Sequence, residues 1–181
     1  MDLGAEDRAL TYFDNAVDSY SSDAALVARG LALDRAGRHD EAARDFDAAV
    51  KSGTQIVWPF LFLALQALRE RRWLVAERLA QAGGAHAPSG PLRAQLFEWE
   101  AIAAASLQRD SRLVRMLFER AAAENPFELR IRRNQQLFEE HVGASWDFSG
   151  GVTSDDALKQ LHDEQRGVGA EREDSKVGLA A

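Results

Sequence analysis

The chain of 181 residues contains no cysteine, only four prolines and very little lysine. Without cysteine it cannot form a disulfide, offer a thiolate to a metal or use a cysteine nucleophile. Lysine occurs only at Lys51, Lys159 and Lys176, and acidic residues outnumber basic ones, which gives a formal net charge of −7. A sequence-independent grip on nucleic-acid phosphates requires a basic face. We therefore expect no nucleic-acid partner.

A long apolar segment is also missing. The longest run, IVWPFLFLALQAL at 56–68, has Gln66 as its one plainly polar residue. It falls well short of the roughly 20 residues that a membrane-spanning helix needs. The first residues, MDLGAEDRAL, show no basic region leading into an apolar stretch, as a secretory signal would. We expect a cytoplasmic protein without membrane insertion, and the abundance of arginine and alanine suits a GC-rich bacterial genome.

Motifs that would carry chemistry are absent from the sequence. It has no GxxxxGK[ST] phosphate loop and no GxSxG nucleophile elbow, and its glycine pairs follow no predicted strand. The four histidines are His39, His86, His141 and His162. No two of them have the spacing of metal ligands one helical turn apart. We therefore predict that the protein is not an enzyme and has no catalytic residues, no cofactor and no metal.

An internal repeat is the strongest positive feature. RALTYFDNAV at 8–17 and EAARDFDAAV at 41–50 share five of ten aligned residues, at an offset of 33. In RMLFERAAAENP, Phe118 and Ala121 repeat the spacing of Phe46 and Ala49. A period near 34 with helical apolar spacing is typical of helix-turn-helix repeats.

The clearest unit, ALVARGLALDRAGRHDEAARDFDAAVKSG, resembles the tetratricopeptide repeat. Five residues stand at that family's spacings: Gly30, Gly37, Ala42, Phe46 and Ala49. Gly30 and Ala42 are small enough to let two antiparallel helices approach closely. Gly37 permits a tight turn between the helices, and the ring of Phe46 fills the gap between units. The unit departs from the family at Arg29, where leucine is preferred, and at Thr54, where a proline usually closes the unit.

We predict an all-α solenoid of about three such repeats, followed by a polar C-terminal capping helix. The predicted helices lie near 5–19, 23–36, 39–52, 57–70, 73–83, 90–108, 111–124 and 127–141. The repeat domain would cover 1–142. The remaining residues, 143–181, are rich in glycine and charge and carry −4 of the net charge. They predict an acidic, largely disordered tail.

The family resemblance implies a protein or peptide partner, bound as a peptide or helix in a concave groove lined by the first helix of each unit. The residues that it places there are Val27, Leu31, Arg35, Trp58, Leu61, Leu65, Leu68 and Arg69, with Leu96, Trp99 and Leu107 offered by the third unit. An exposed apolar patch of this size would indicate a binding site. Two alternatives stay open: the run at 56–68 is core, or the chain's own tail near Trp146 and Phe148 fills the groove.

Other functions compete with a general adaptor or scaffold. Size, charge and repeat number are similar to those of the class II chaperones of type III secretion, and a structural subunit of a homo-oligomer or larger complex is a further alternative. The clamp that binds the acidic tails of heat-shock chaperones is not expected, because 23–107 contain one lysine and no asparagine. Near the end of the array lies a basic cluster, Arg130, Arg132 and Arg133. It predicts either a solvated capping face or a contact for an anion or acidic peptide.

Overall fold

The computed structural model describes residues 3–20 and 22–141, and its regular elements are all α-helices. The eight helices of this part of the chain are α1 (Leu3–Tyr20), α2 (Asp23–Arg35), α3 (His39–Lys51), α4 (Val57–Arg69), α5 (Trp73–His86), α6 (Pro91–Ser106), α7 (Ser111–Glu124) and α8 (Leu129–His141). The predicted all-α class is confirmed. The tail predicted at 143–181 lies outside the described residues.

The helices pack in the order in which they follow one another. Packing is most extensive between α6 and α7, α2 and α3, α5 and α6, and α4 and α5, all of them neighbours in the chain. Chain order and the turns after α2, α4 and α6 define three pairs, α2 with α3, α4 with α5, and α6 with α7, and each pair contacts the next. This sequential packing is that of a helical repeat array, as predicted. None of the helices described is long and apolar enough to cross a membrane.

The turn inside each of the three pairs has the same backbone conformation. In the first, the Gly37 amide donates to the Asp34 carbonyl at 3.0 Å and the Arg38 amide to the Leu33 carbonyl at 2.9 Å. The same two hydrogen bonds recur at 71 and 72 and again at 108 and 109. One residue in each turn has a positive φ: 74° at Gly37, 57° at Arg71 and 55° at Gln108. This hydrogen-bond pattern ends a helix sharply and returns the chain antiparallel.

The predicted roles of Gly30 and Phe46 are confirmed. A Cβ on Gly30 would lie 2.6 Å from Cε1 of Phe46, so only glycine lets α2 lie this close to the phenyl ring. Phe46 is fully buried, and its ring centroid is 4.8 Å from that of Phe62 on α4. The ring therefore joins the first pair to the second.

Contacts in the structure explain the two departures from the repeat pattern. Arg29 donates from Nε and Nη2 to the two carboxylate oxygens of Asp45, each at 2.7 Å, and from Nη1 to Asp14 at 3.2 Å. Hydrogen bonding to Asp45 raises the pKa of Arg29, although burial acts in the opposite direction. The ion pair joins α2 to α3 where the repeat would use an apolar contact. Thr54, which is buried, accepts a hydrogen bond at Oγ1 from the Ile56 amide at 3.2 Å.

The end of α5 differs from the prediction. The adjacent glycines Gly83 and Gly84 predict that this helix ends at 83, but α5 continues to His86. A Cβ at Gly83 would lie 2.6 Å from Cβ of Phe60, so this glycine serves close packing against α4 inside the helix. Gly84 is also buried within α5. The loop starts only at Ala87, and Pro91 then occupies the first turn of α6, where its missing amide hydrogen has no cost.

Candidate functional site

The repeated turns give α2, α4 and α6 a common register. Val27, Leu61 and Glu98 each stand the same number of residues before the positive-φ residue of their turn. One helical turn further along the same face of these helices stand Leu31, Leu65 and Ile102, respectively. Equivalent positions of the three helices are therefore apolar in the first two pairs and include a carboxylate in the third.

The apolar residues predicted to line an open groove are mostly buried. Leu61 and Leu65 are 4% exposed, Leu68 is 3% exposed and Val27 is 4% exposed. An open patch at these leucines is not what the structure has, because neighbouring helices already cover them. These side chains thus follow the alternative in which the run at 56–68 is core. Whether a partner binds them stays a prediction.

Two of the predicted residues keep part of their apolar surface. Leu31 of α2 and Trp58 of α4 are half-buried, and both pack against the core cluster that contains Phe46. Arg35 and Arg69, also predicted, are exposed in the last turns of these helices, where a cation interacts favourably with the helix dipole. Leu31, Trp58, Arg35 and Arg69 are called the α2/α4 surface below.

The register predicted for the third unit is one residue out. Trp99 is 1% exposed and Leu96 fully buried, so both are core residues, and Leu107 lies in the turn after α6. The residues equivalent to Trp58 and Leu61 are Gln95 and Glu98. From the sequence, the large apolar residues Leu96, Trp99 and Leu107 are predicted at these positions. The observed turn after α6 sets the register and shows that polar residues, Gln95 and Glu98, stand at the positions equivalent to Trp58 and Leu61.

A buried polar cluster joins α6 to α8. Glu98 is fully buried, and Nδ2 of Asn134 donates to its Oε1 at 2.8 Å. Nη2 of Arg130 lies 2.8 Å from Oε2 of Glu98 and donates to Oε1 of Gln95 at 3.1 Å. Burial raises the pKa of Glu98, while the Arg130 charge and the Asn134 hydrogen bond oppose this shift.

Hydrogen bonding in this cluster is incomplete. Among the described residues, Nε2 of Gln95, Nε of Arg130 and Oε2 of Glu98 are buried without a hydrogen-bond partner. The contact from Arg130 to Oε2 of Glu98 is close enough for charge attraction, but it lacks the alignment of a hydrogen bond. The cluster therefore joins α8 to α6 through the Asn134–Glu98 hydrogen bond and the Arg130–Glu98 ion pair.

A second carboxylate of α6, that of Glu100, interacts electrostatically with charged side chains of α5 and α7. It is 8% exposed, and burial raises its pKa to about 7. Arg120 of α7 opposes the shift, while Glu77 of α5 adds to it. Glu77 is itself paired with Arg109, whose Nη2 donates to it at 2.9 Å. Glu100 is therefore a group whose charge changes near neutral pH.

The described part of the chain offers no arrangement suited to metal binding. No group of three or more histidine or acidic side chains there has the geometry to hold a metal ion. His39 has its Nδ1 2.8 Å from a carboxylate oxygen of Asp34, and its side chain is exposed. Two features of the described residues that could serve a function are the α2/α4 surface and the polar cluster between α6 and α8.

A scan against protein-family models found no match, and searches of curated proteins and of solved structures found none either. These comparisons identify no family, and the described part of the chain is all-helical with consecutively packed helices.

Proposed function

We propose that this protein is a non-enzymatic adaptor or scaffold that binds a peptide or helix of a partner protein at the α2/α4 surface. The observation that carries the proposal is the position of Leu31 and Trp58. They come from successive pairs, pack on one core cluster and still keep part of their apolar surface accessible. Arg35 and Arg69 place cations at the ends of the same helices.

The repeat architecture supports the same proposal. We infer that the three pairs are tetratricopeptide-like units, since Gly30, Ala42 and Phe46 have that family's spacing and the Gly30 to Phe46 approach has the expected cause. Stacked helix pairs create extended surfaces that proteins of this architecture use for binding. The accessible apolar area at Leu31 and Trp58 is modest, so we expect a contact of moderate strength.

The test compares protein capture by three forms of the full chain. Leu31→Gln/Trp58→Gln removes the apolar contacts of the α2/α4 surface, and Leu74→Gln/Val75→Gln is the matched control, because these two residues are exposed on α5. Circular dichroism and urea unfolding first establish that all three are folded. We expect quantitative mass spectrometry to show at least one protein that the wild type and the control capture and the α2/α4 variant loses about tenfold, which corresponds to about 1.4 kcal/mol.

Equal capture by all folded forms would contradict the proposal. The identity of a lost protein also separates the alternatives. A secreted membrane translocator would favour the secretion-chaperone hypothesis, whereas a second copy of this chain would favour the structural-subunit hypothesis.

A further inference from the structure

The turn before α8 and the first residue of α8 present two large apolar side chains to solvent. Phe127 is 90% exposed and Leu129 is 74% exposed. Arg132 and Arg133 follow on the same helix, and both are exposed. Leu129 shares a helix face with these arginines, because residues three and four positions apart are neighbours on a helix. Phe127, Leu129, Arg132 and Arg133 are called the α8 corner below.

Local hydrogen bonds hold the α8 corner in place. The Glu128 amide donates to the Asn125 carbonyl at 3.3 Å, and the Glu128 side chain accepts from the Arg130 amide at 3.2 Å. On the opposite side of α8, Ile131 is 1% exposed and Asn134 is bonded to Glu98. Phe127 and Leu129 therefore lie at a hydrogen-bonded turn, and local hydrogen bonds of this kind reduce the ordering cost of binding.

Several arginines of the array pair with carboxylates of the described residues, whereas the two arginines of the corner do not. Arg38, Arg109 and Arg115 form ion pairs with carboxylates of the chain itself. Within the described residues, Arg132 and Arg133 form neither an ion pair nor a hydrogen bond through their side chains. Two adjacent unpaired cations are complementary to an acidic group, and Leu129 on the same helix face is complementary to aromatic or aliphatic side chains.

We propose that the α8 corner docks an acidic amphipathic segment of a partner protein, in which leucine or aromatic residues are flanked by aspartate or glutamate. Phe127 and Leu129 contact the apolar side chains of that segment, and Arg132 and Arg133 pair with its carboxylates. A patch of this size suits a weak contact that depends on salt. The α8 corner uses none of the residues of the α2/α4 surface, so it is a second binding surface.

The experiment selects random peptides from a display library on the full-length protein, with selection against Phe127→Ser/Leu129→Ser. Because these side chains are so exposed, we expect this variant to keep the urea midpoint of the wild type, and urea unfolding checks this first. Selected peptides are synthesised and their binding is measured by fluorescence anisotropy. We expect them to combine acidic with leucine or aromatic residues and to bind the variant at least tenfold more weakly.

Charge variants test the remaining part of the proposal. Arg132→Glu/Arg133→Glu is expected to weaken the same peptides at least tenfold at low salt and to abolish the loss of affinity that NaCl causes with the wild type. Tyr12→Ser/Arg78→Glu, which alters an exposed aromatic residue and an exposed arginine elsewhere, is expected to change nothing. Leu31→Gln/Trp58→Gln should retain these peptides, so the outcome does not depend on the function proposed above.

Several results would overturn the proposal. One is a selection whose peptides bind the wild type and the corner variants equally, or that yields no peptide preferring the wild type. Others would assign the corner to a different occupant: Phe127-dependent binding to phosphatidylserine vesicles, a Phe127-dependent increase of mass with concentration, or peptide binding that appears only after removal of 143–181.

Discussion

Gly30 and Gly84 show how a single carbon atom decides whether a helix pair can form. Both glycines are buried inside helices. A Cβ at Gly30 would lie 2.6 Å from the Phe46 ring, whereas a Cβ at Gly84 would meet Phe97 at an ordinary 3.5 Å. The same substitution therefore has opposite expected effects at the two positions.

Gly30→Ala is expected to lower the free energy of unfolding by about 1–3 kcal/mol, because the added methyl group overpacks a fully buried ring. Gly84→Ala is expected to be neutral or to stabilise by up to about 1 kcal/mol, because alanine favours the helix and finds space. Urea unfolding of both variants and the wild type measures the difference. Equal midpoints for the two variants would show that Phe46 does not press on α2 as described.

Residues with local roles could be predicted from the sequence, and those with long-range roles could not. The spacing of Gly30, Gly37 and Phe46 predicted a close approach, a turn and a filling ring, because each role depends on the distance along one helix pair. By contrast, Arg29 and Glu98 are polar residues whose partners come from other helices. Nothing in the sequence alone joins Glu98 to Asn134, which lies two helices further on.

For the individual helices, the sequence predicts their positions in the chain more reliably than it predicts which of their residues are buried. All eight helices were expected, with ends that differ from the observed ones by a few residues. The turns after α4 and α6 repeat the conformation of the Gly37 turn with Arg71 and Gln108, so a glycine-based pattern does not find them. The register predicted for α6 is consequently one residue out, and Trp99, predicted to lie at the surface, is a core residue.

The helix α6 also carries a prediction about pH. Burial raises the pKa of Glu100 from 4.5 to about 7, so between these values the folded state holds a proton that the unfolded state has lost. The free energy of unfolding therefore decreases as the pH rises through this window, and ionised Glu100 costs stability above it. With about 1.4 kcal/mol per pKa unit, and allowing for partial solvation, the effect is about 1–3 kcal/mol.

Glu100→Gln removes this titration and is expected to be more stable than the wild type at pH 8, with a smaller gain at pH 5. Urea unfolding across this range measures the difference, with Glu119→Gln as the control because Glu119 is an exposed glutamate of α7. Glu98 contributes a slope of the same sign to both proteins, so only the difference between them is diagnostic. Parallel stability curves for wild type and variant would contradict a buried, protonated Glu100.

At the scale of the whole molecule, the array explains why so apolar a segment as α4 occurs in a chain with net charge −7. An internal helix of a stacked array contacts its own partner and both neighbouring pairs. α4 accordingly packs against α3, α5 and α6. Eight of its thirteen residues are buried, so most of its apolar surface contributes to folding. Trp58 and Arg69 of the α2/α4 surface are among the residues of α4 that stay partly or fully exposed.

Unfolding of Leu65→Asp and Leu74→Asp tests the burial of α4 most directly. Leu65 is 4% exposed on α4, whereas Leu74 is 43% exposed on α5. We expect Leu65→Asp to lose about 3–5 kcal/mol or to fail to fold, because it creates a cavity and buries an unpaired charge. Leu74→Asp should stay within about 0.5 kcal/mol of the wild type. A Leu65→Asp protein that kept the wild-type urea midpoint would contradict this, and would show that α4 presents an open recognition surface.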